Sequence, residues 1–173
     1  PPRSTLFPYT TLFRSMRGSL ADNFDLIVGV EVPVTTVCPC SKEISAYGAH
    51  NQRGLVRVQL RFNKFFWIEE IIEIVESSVS SEIYSLLKRP DEKYVTEKAF
   101  DNPMFVEDVV RAALSRLREK NNFPWYRIEA ENFESIHNHS AYAMIEKDFY
   151  PSPECFQGRS EERRVGKECR SRW

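Results

Sequence analysis

The fold is decided around residues 34–52, VTTVCPCSKEISAYGAHNQ, which join two segments with the residue pattern of β-strands. In Phe24–Val32 and in Leu55–Phe62, large apolar side chains recur at every second position, as in a strand with one buried face. Pro33 is expected to end the first strand, because proline has no N–H for the ladder. Residues 34–52 are therefore predicted to form the loop of a hairpin, with one helical turn at 41–45.

The rest of the chain is predicted to form two helices and a second hairpin. The apolar residues of both helical segments keep the spacing of an amphipathic helix. Pro103 suits the first turn of the second helix, with Asn102 as its N-cap. The predicted elements are a helix over Ile68–Leu87, a charged connection over Arg89–Asn102, a helix from Pro103 to about Lys120, strands over Trp125–Glu134 and His139–Lys147, and an irregular segment over Tyr150–Gly158. The order ββααββ predicts an α+β fold: a four-stranded, mostly antiparallel sheet with both helices on one face.

The two ends of the chain are interpreted as translated sequencing adaptor. One set of codons for residues 159–173, RSEERRVGKECRSRW, yields residues 1–15, PPRSTLFPYTTLFRS, when its reverse complement is read in frame. Chance agreement along the whole of both segments is negligible. The biological part is then residues 16–158, and we expect it to be a fragment of a longer protein.

The composition of residues 16–158 argues against several classes of protein. Sixteen basic and twenty-two acidic residues give a net charge of about −6, which disfavours general nucleic-acid or membrane-surface binding. No apolar run is long enough to cross a bilayer. Three cysteines remain, Cys38, Cys40 and Cys155, and an odd number does not indicate a disulfide framework. A single domain with cytoplasmic thiols or metal ligands fits better.

The loop itself carries a candidate metal site. A Cys38 thiolate and the His50 imidazole are good ligands for a divalent ion, and loops at a sheet edge commonly hold such sites. Two ligands are too few for a structural zinc site, so a catalytic site would need a third ligand from elsewhere, with a carboxylate as the natural type. A buried cysteine beside a capping histidine explains the same residues without a metal.

Four separated blocks of sequence carry a resemblance to a known family. They are residues 30–45 (VEVPVTTVCPCSKEIS) continued by 47–53 (YGAHNQR), 86–97 (LLKRPDEKYVTE), 102–103 with 105–108 (NP, FVED), and 134–141 (ESIHNHSA). In these blocks, and in their order, the chain resembles the type IB GTP cyclohydrolase I family. The resemblance covers nearly all of residues 16–158 and corresponds to the later half of the family's chain.

This resemblance implies a fold, an assembly and a metal site. The fold is the tunnelling fold, in which ββααββ is one module; family members have two modules and form homotetramers with active sites at subunit boundaries. The implied metal ligands are Cys38, His50 and Glu92. One divalent ion per active site is implied, manganese, zinc or iron, and Cys40 is not carried over as a ligand.

The resemblance also implies a substrate and a reaction. GTP and water are converted to 7,8-dihydroneopterin triphosphate and formate, the first step of folate and pterin synthesis, after water adds at C8 of the purine. Glu107 is implied to bind the guanine edge, since a carboxylate can accept two N–H donors. Cys38 is implied in catalysis through the metal, His137 as an acid–base or phosphate-contacting group, and His139 as a further candidate.

Two alternatives remain open at this point. In the first alternative, this chain is a non-catalytic fragment of the enzyme, and it is then expected to produce no formate from GTP. In the other it is the nitrile reductase of queuosine synthesis, which shares the fold and uses a cysteine nucleophile with NADPH. The reductase's pattern of Glu, Lys and Lys along one strand is not apparent in this sequence.

Overall fold

A computed structural model describes residues 12–13, by their backbone alone, and residues 26–147. Ten elements lie in this part of the chain, six strands and four helices. In chain order they are β1 (Leu12–Phe13), β2 (Val28–Val37), α1 (Pro39–Ile44), β3 (Asn51–Arg61), α2 (Ile68–Glu76), β4 (Ser81–Glu82), α3 (Arg89–Asp101), α4 (Val106–Glu119), β5 (Trp125–Phe133) and β6 (Ser140–Glu146).

The strands form one antiparallel sheet in the order β1-β2-β3-β5-β6, with β4 also paired to β2. The four long strands are two hairpins, β2–β3 and β5–β6, joined side by side through β3 and β5. The α+β class and the two hairpins are confirmed. The count of elements differs from the prediction, because two short strands and two further helices are present.

The core lies between one face of the sheet and the helices α2 and α4. In one row across the sheet, Val30, Val58, Ile128 and Ile145 are successive neighbours, and the first three are buried. Helix α4 presents the apolar stripe predicted for it, with six buried residues. Burying a large aliphatic side chain stabilises the fold by about 1.5–3 kcal/mol, so this layer holds the sheet edge in place. The principal buried residues are Val34, Val56, Leu60, Ile71, Val75, Val109 and Leu117.

Charged pairs run across the other face of the sheet. Nε of Arg57 donates to Glu31 across the β2–β3 pair at 2.8 Å, and Glu131 lies 3.5 Å away on the β5 side. The hydrogen bond to Glu31 is the main reason that the pKa of Arg57 is raised. This face is therefore organised by ion pairs between strands.

The prediction that Pro33 ends the first strand is wrong. Strand β2 continues to Val37, and Pro33 lies opposite Leu55. The outer edge of β2 pairs with β1 at residues 30–31 and with β4 at residues 34–35, so that ladder skips Pro33. A proline is tolerated where no ladder bond is required of its nitrogen. The loop thus shrinks to residues 38–50, and residues 24–25 of the predicted strand lie outside the described residues.

The predicted long helix over Ile68–Leu87 is also wrong, because α2 ends at Glu76. The hydroxyls of Ser77 and Ser78 both donate to the carbonyl of Ile74, at 3.0 and 2.6 Å. Serine hydroxyls that bond nearby carbonyls in this way offer the backbone an alternative to further helix. The chain then turns, and Ser81–Glu82 pairs with β2 as β4.

The connection predicted over Arg89–Asn102 is a helix, α3. Pro90 lies in its first turn, and the Asp91 carboxylate accepts the backbone N–H of Lys88 at 3.1 Å. Asn102 ends this helix instead of capping the next one, and its side chain donates to the carbonyl of Val79 at 3.0 Å. Proline at a helix start is favourable because its missing N–H has no intrahelical partner there.

The second hairpin agrees with the prediction to within one residue at each end. The predicted irregular segment over residues 150–158 lies outside the described residues. Among the helices of residues 26–147, none has both the length and the apolar character needed to span a bilayer.

Candidate metal centre and substrate site

The site starts where the β2–β3 ladder ends. The last ladder pair is Val37 with Asn51, and Cys38 and His50 are the next residues beyond it. The backbone N–H of Cys38 donates to the carbonyl of His50 at 3.1 Å. The fold therefore brings the two predicted ligands of the loop together, and both are half-buried.

Ser41 ties the two backbones to each other a second time. Its hydroxyl donates to the carbonyl of Cys38 at 3.1 Å and accepts the backbone N–H of His50 at 3.2 Å. Ser41 lies in α1, which starts with Pro39 directly after Cys38. This short helix is thus the turn of the hairpin and fixes the spacing of Cys38 and His50.

The loop between β5 and β6 is attached to the same place. Nδ1 of His50 and the hydroxyl of Ser135 are 3.0 Å apart, and the amide nitrogen of Gln52 donates to Glu134 at 3.2 Å. The loop carries His137 and His139, which are exposed and stacked with ring centroids 5.1 Å apart. Its attachment through residues 134 and 135 places both predicted histidines on the strand-end loop beside His50.

Glu107 lies in the first turn of α4 and is half-buried. The start of this helix is anchored to the same sheet edge, because the N–H of Met104 donates to the carbonyl of Val37 at 3.1 Å. The side chain of Asp108 accepts the N–H of Phe105 and caps the helix. Acidic side chains in the first turn of a helix interact favourably with the helix dipole, and Glu107 occupies such a position.

Glu92 lies elsewhere, exposed in the first turn of α3. This helix is attached through its other end: Lys98 pairs with Glu82 at 2.5 Å, and Lys42 of α1 donates to the carbonyl of Phe100 at 2.5 Å. Within residues 26–147, no three His, Cys, Asp or Glu side chains are grouped closely enough to hold a metal ion. The donor chemistry of Cys38 and His50 fits a divalent metal. The set of three ligands with Glu92 stays a prediction.

Two buried polar atoms accompany this end of the sheet. Thr36 and Gln52 are opposed on β2 and β3, and in the described part of the chain Oγ1 of Thr36 and Oε1 of Gln52 have no hydrogen-bond partner. Buried polar atoms without a partner are uncommon in a folded core. They lie two positions along the strands from Cys38 and His50, at the point where the apolar core becomes polar.

The comparisons with known proteins identify the family. The model of the family described as type I GTP cyclohydrolase folE2 matches residues 3–143. The chain belongs to this family.

Several curated relatives are named GTP cyclohydrolase FolE2. The relative from Syntrophus aciditrophicus is 62% identical over 144 residues, which are 83% of this chain and 56% of the relative. For the relative from Syntrophobacter fumaroxidans the identity is 63% over 132 residues, 75% of this chain and 51% of the relative. The relative from Citrifermentans bemidjiense is 58% identical over 143 residues, which are 83% of this chain and 52% of the relative. The chain thus spans about half the length of the curated relatives it matches.

The family match begins inside residues 1–15, which the codon agreement assigned to adaptor, and residues 159–173 lie beyond it. The family match therefore does not support the assignment of residues 1–15 to adaptor sequence. The backbone of Leu12–Phe13 pairs with residues 30–31 of β2. The assignment of both ends to adaptor stays a prediction.

Sequence reasoning missed Ser41, Gln52, Glu82 and Ser135 as parts of this region. Burial by itself would raise the pKa of Glu82, but hydrogen bonds from Lys98 and Tyr84 and the charge of Lys98 outweigh it, and the pKa is lowered. Glu82 is thus the ionised anchor between β4 and α3. Of these residues, only Ser41 could have been identified from the sequence: it lies three residues after Cys38, and a serine at that spacing commonly forms a hydrogen bond with the nearby backbone. The contacts of the other three join distant parts of the chain.

Proposed function

We propose that this chain carries the metal and substrate site of a type IB GTP cyclohydrolase I. The reaction would convert GTP and water to 7,8-dihydroneopterin triphosphate and formate, in folate and pterin synthesis. The observation that carries the proposal is the pair Cys38 and His50 at the end of a sheet, with the histidine loop of residues 134–139 attached to it. Membership of the folE2 family supports the same reaction class.

The metal would be held by Cys38, His50 and Glu92. A thiolate, an imidazole and a carboxylate are a three-ligand set of the kind found in catalytic sites, which leave a position for water or substrate. A divalent ion such as Mn²⁺, Zn²⁺ or Fe²⁺, bound there, would supply a Lewis acid that lowers the pKa of water to about 7. Glu92 would be brought to the other two ligands by α3, whose last turn contacts the rest of the fold through Lys98 with Glu82 and through the carbonyl of Phe100 with Lys42.

Glu107 would bind the base. Its carboxylate would accept two N–H donors from the Watson–Crick edge of guanine, as a paired acceptor in fixed geometry. The N–H of Met104, just before α4, donates to the carbonyl of Val37 at the end of β2, and this contact supports a role for Glu107 at the same end of the sheet. Binding at this edge would orient the other side of the purine, with C8, away from Glu107 and toward the metal ligands.

His137 would move protons during ring opening and reclosure. An imidazole can both accept and donate a proton, which suits a group that must do both in one catalytic cycle. His139, stacked on it, would hold the ring or contact phosphate. Both side chains are exposed, so the triphosphate or the ring-opened sugar can reach them.

The proposed setting is a tunnelling-fold module in a homotetramer. The β2–β3 hairpin, the helices and the β5–β6 hairpin follow the order of such a module. The charged face opposite α2 and α4 would line an interface or tunnel. Whether residues 1–173 alone form the assembly is tested by their mass in solution.

The experiment measures formate and dihydroneopterin triphosphate from GTP with the chain loaded with Mn²⁺, Zn²⁺ or Fe²⁺. We expect Cys38→Ser to bring product to background, because the thiolate is lost. Cys40→Ser is the matched control, since Cys40 is an exposed free thiol two residues away with no assigned role. Glu107→Gln should weaken GTP binding by about 10–100-fold, the value of a hydrogen bond to a charged group.

Three outcomes separate the hypotheses. Formate production that depends on Cys38 supports the cyclohydrolase. Metal and GTP binding without formate supports the non-catalytic alternative, which the half-length coverage of the relatives favours for this chain. A chain that binds neither metal nor GTP contradicts the proposed site.

A further inference from the structure

His50 is fixed at three of its atoms by three different residues. Its carbonyl accepts the N–H of Cys38, its N–H donates to the hydroxyl of Ser41, and its Nδ1 lies 3.0 Å from the hydroxyl of Ser135. The first two contacts come from the hairpin to which His50 belongs. The third comes from the β5–β6 loop, 85 positions along the chain, and is the one that touches the ring.

A contact on Nδ1 decides what the other ring nitrogen can do. A neutral imidazole carries its proton on one nitrogen and a lone pair on the other. When Nδ1–H donates to a serine oxygen, Nε2 keeps its lone pair and can coordinate a metal. Metal-binding histidines almost always have such a partner on the second nitrogen, which fixes both tautomer and ring direction.

The position of Ser135 is set independently of its hydroxyl. The neighbouring Glu134 accepts a hydrogen bond from the buried side chain of Gln52 at 3.2 Å, and the ladder of β3 with β5 runs up to Phe133. The loop is therefore attached beside His50 even without the Ser135 hydroxyl. Ser135 itself is exposed, so little packing depends on its side chain.

We propose that Ser135 is a positioning residue for the metal site: its hydroxyl accepts Nδ1–H of His50 and thereby directs Nε2 to the metal beside Cys38. The inference rests on the proposed role of His50 as a ligand. It adds a residue that touches neither metal nor substrate. The β5–β6 loop would then have two roles: it carries His137, and through Ser135 it orients His50 of the β2–β3 hairpin.

The test is Co²⁺ binding to the whole chain, followed by the absorption of the thiolate–cobalt pair and by competition with a chelator. We expect Ser135→Ala to weaken Co²⁺ binding by about 10–100-fold, as is typical when the partner of a metal-binding histidine is removed. The ligand-field bands should shift, because the ring is free to rotate. Ser135→Thr keeps a hydroxyl and should restore both the affinity and the spectrum.

Controls separate positioning from folding and from the proposed function. Ser115→Ala removes an exposed hydroxyl on α4 and should leave Co²⁺ binding unchanged. Thermal unfolding of metal-free Ser135→Ala should match that of the unaltered chain. Wild-type affinity and spectrum in Ser135→Ala overturn this inference alone. Absence of Co²⁺ binding by the unaltered chain overturns the metal site of the proposed function, and the role of Ser135 with it.

Discussion

Gly54 lies in β3, the middle strand of the sheet, where two opposing effects of an added methyl group can be weighed. It is buried on β3, opposite Val34 on one side and Asn132 on the other. A Cβ atom there would be 2.5 Å from Oδ1 of Asn132, 3.1 Å from the carbonyl oxygen of Glu131 and 3.2 Å from Cγ2 of Val34. The first distance is too short for any packed contact, so the buried Asn132 side chain must move.

The two effects of Gly54→Ala have different sizes. Replacing glycine in a strand interior is favourable by about 0.5–1 kcal/mol, because the unfolded chain loses freedom. Forcing an extra carbon into a packed region is unfavourable by about 1–3 kcal/mol. The Glu131 oxygen belongs to the backbone of a paired strand and cannot rotate away. We therefore expect Gly54→Ala to lower the free energy of unfolding by about 1–2 kcal/mol.

The assay is urea unfolding of single and double variants. In an Asn132→Ala background the nearest atom is gone, and the effect of Gly54→Ala should shrink by at least about 0.5 kcal/mol, as expected for residues in contact. Gly48→Ala is the control: with φ at 131° and nothing within 4 Å, it should destabilise through backbone strain and show no coupling to Asn132. A stabilising Gly54→Ala, or an equal effect in both backgrounds, would refute the reasoning.

Two further predictions concern the core and the pH dependence of stability. Leu117→Ala, at a position only 2% exposed in α4, should lower the free energy of unfolding by about 2–5 kcal/mol in the same urea assay; a loss below 1 kcal/mol would contradict its place in the core. Because the pKa of Glu82 is lowered in the folded chain, its contribution should be complete above the ordinary carboxyl pKa and should be lost as pH falls through the lowered value. Glu82→Gln should remove that part of the acid dependence, and an unchanged profile of unfolding midpoint against pH would contradict the assignment.

The elements that the sequence predicted well are those with a repeating pattern. The alternation in β3 and the apolar stripe of α4 follow from the burial of one face of each element. The apolar spacing gave no sign of where α2 ends, because Val79 and Ile83 continue the helical spacing beyond Glu76. The helix ends where the hydroxyls of Ser77 and Ser78 donate to the carbonyl of Ile74. The spacing of apolar residues gives no information about such hydrogen bonds.

Helix α3 was missed for a different reason. It buries one residue, Ala99, so it has almost no apolar stripe to find. Pro90 and the two acidic residues after it are an ordinary helix start, the same signal that was used for Pro103. What attaches α3 to the fold are the contacts of Lys98 with Glu82 and of Lys42 with Phe100, between segments far apart in sequence. Contacts of that kind are set by the tertiary fold.

The register of one hairpin connects the core to the site. Val30 with Val58 and Val34 with Gly54 are pairs of the same ladder that ends at Val37 with Asn51 and sets Cys38 against His50. A slip of one residue would turn the buried valines of a strand to the polar face, which the α2 and α4 layer makes strongly unfavourable. The same slip would separate the thiol and the imidazole. The apolar alternation that decides the fold therefore also sets the register that brings Cys38 and His50, the proposed metal ligands, together, and Ser41 adds a second link between them.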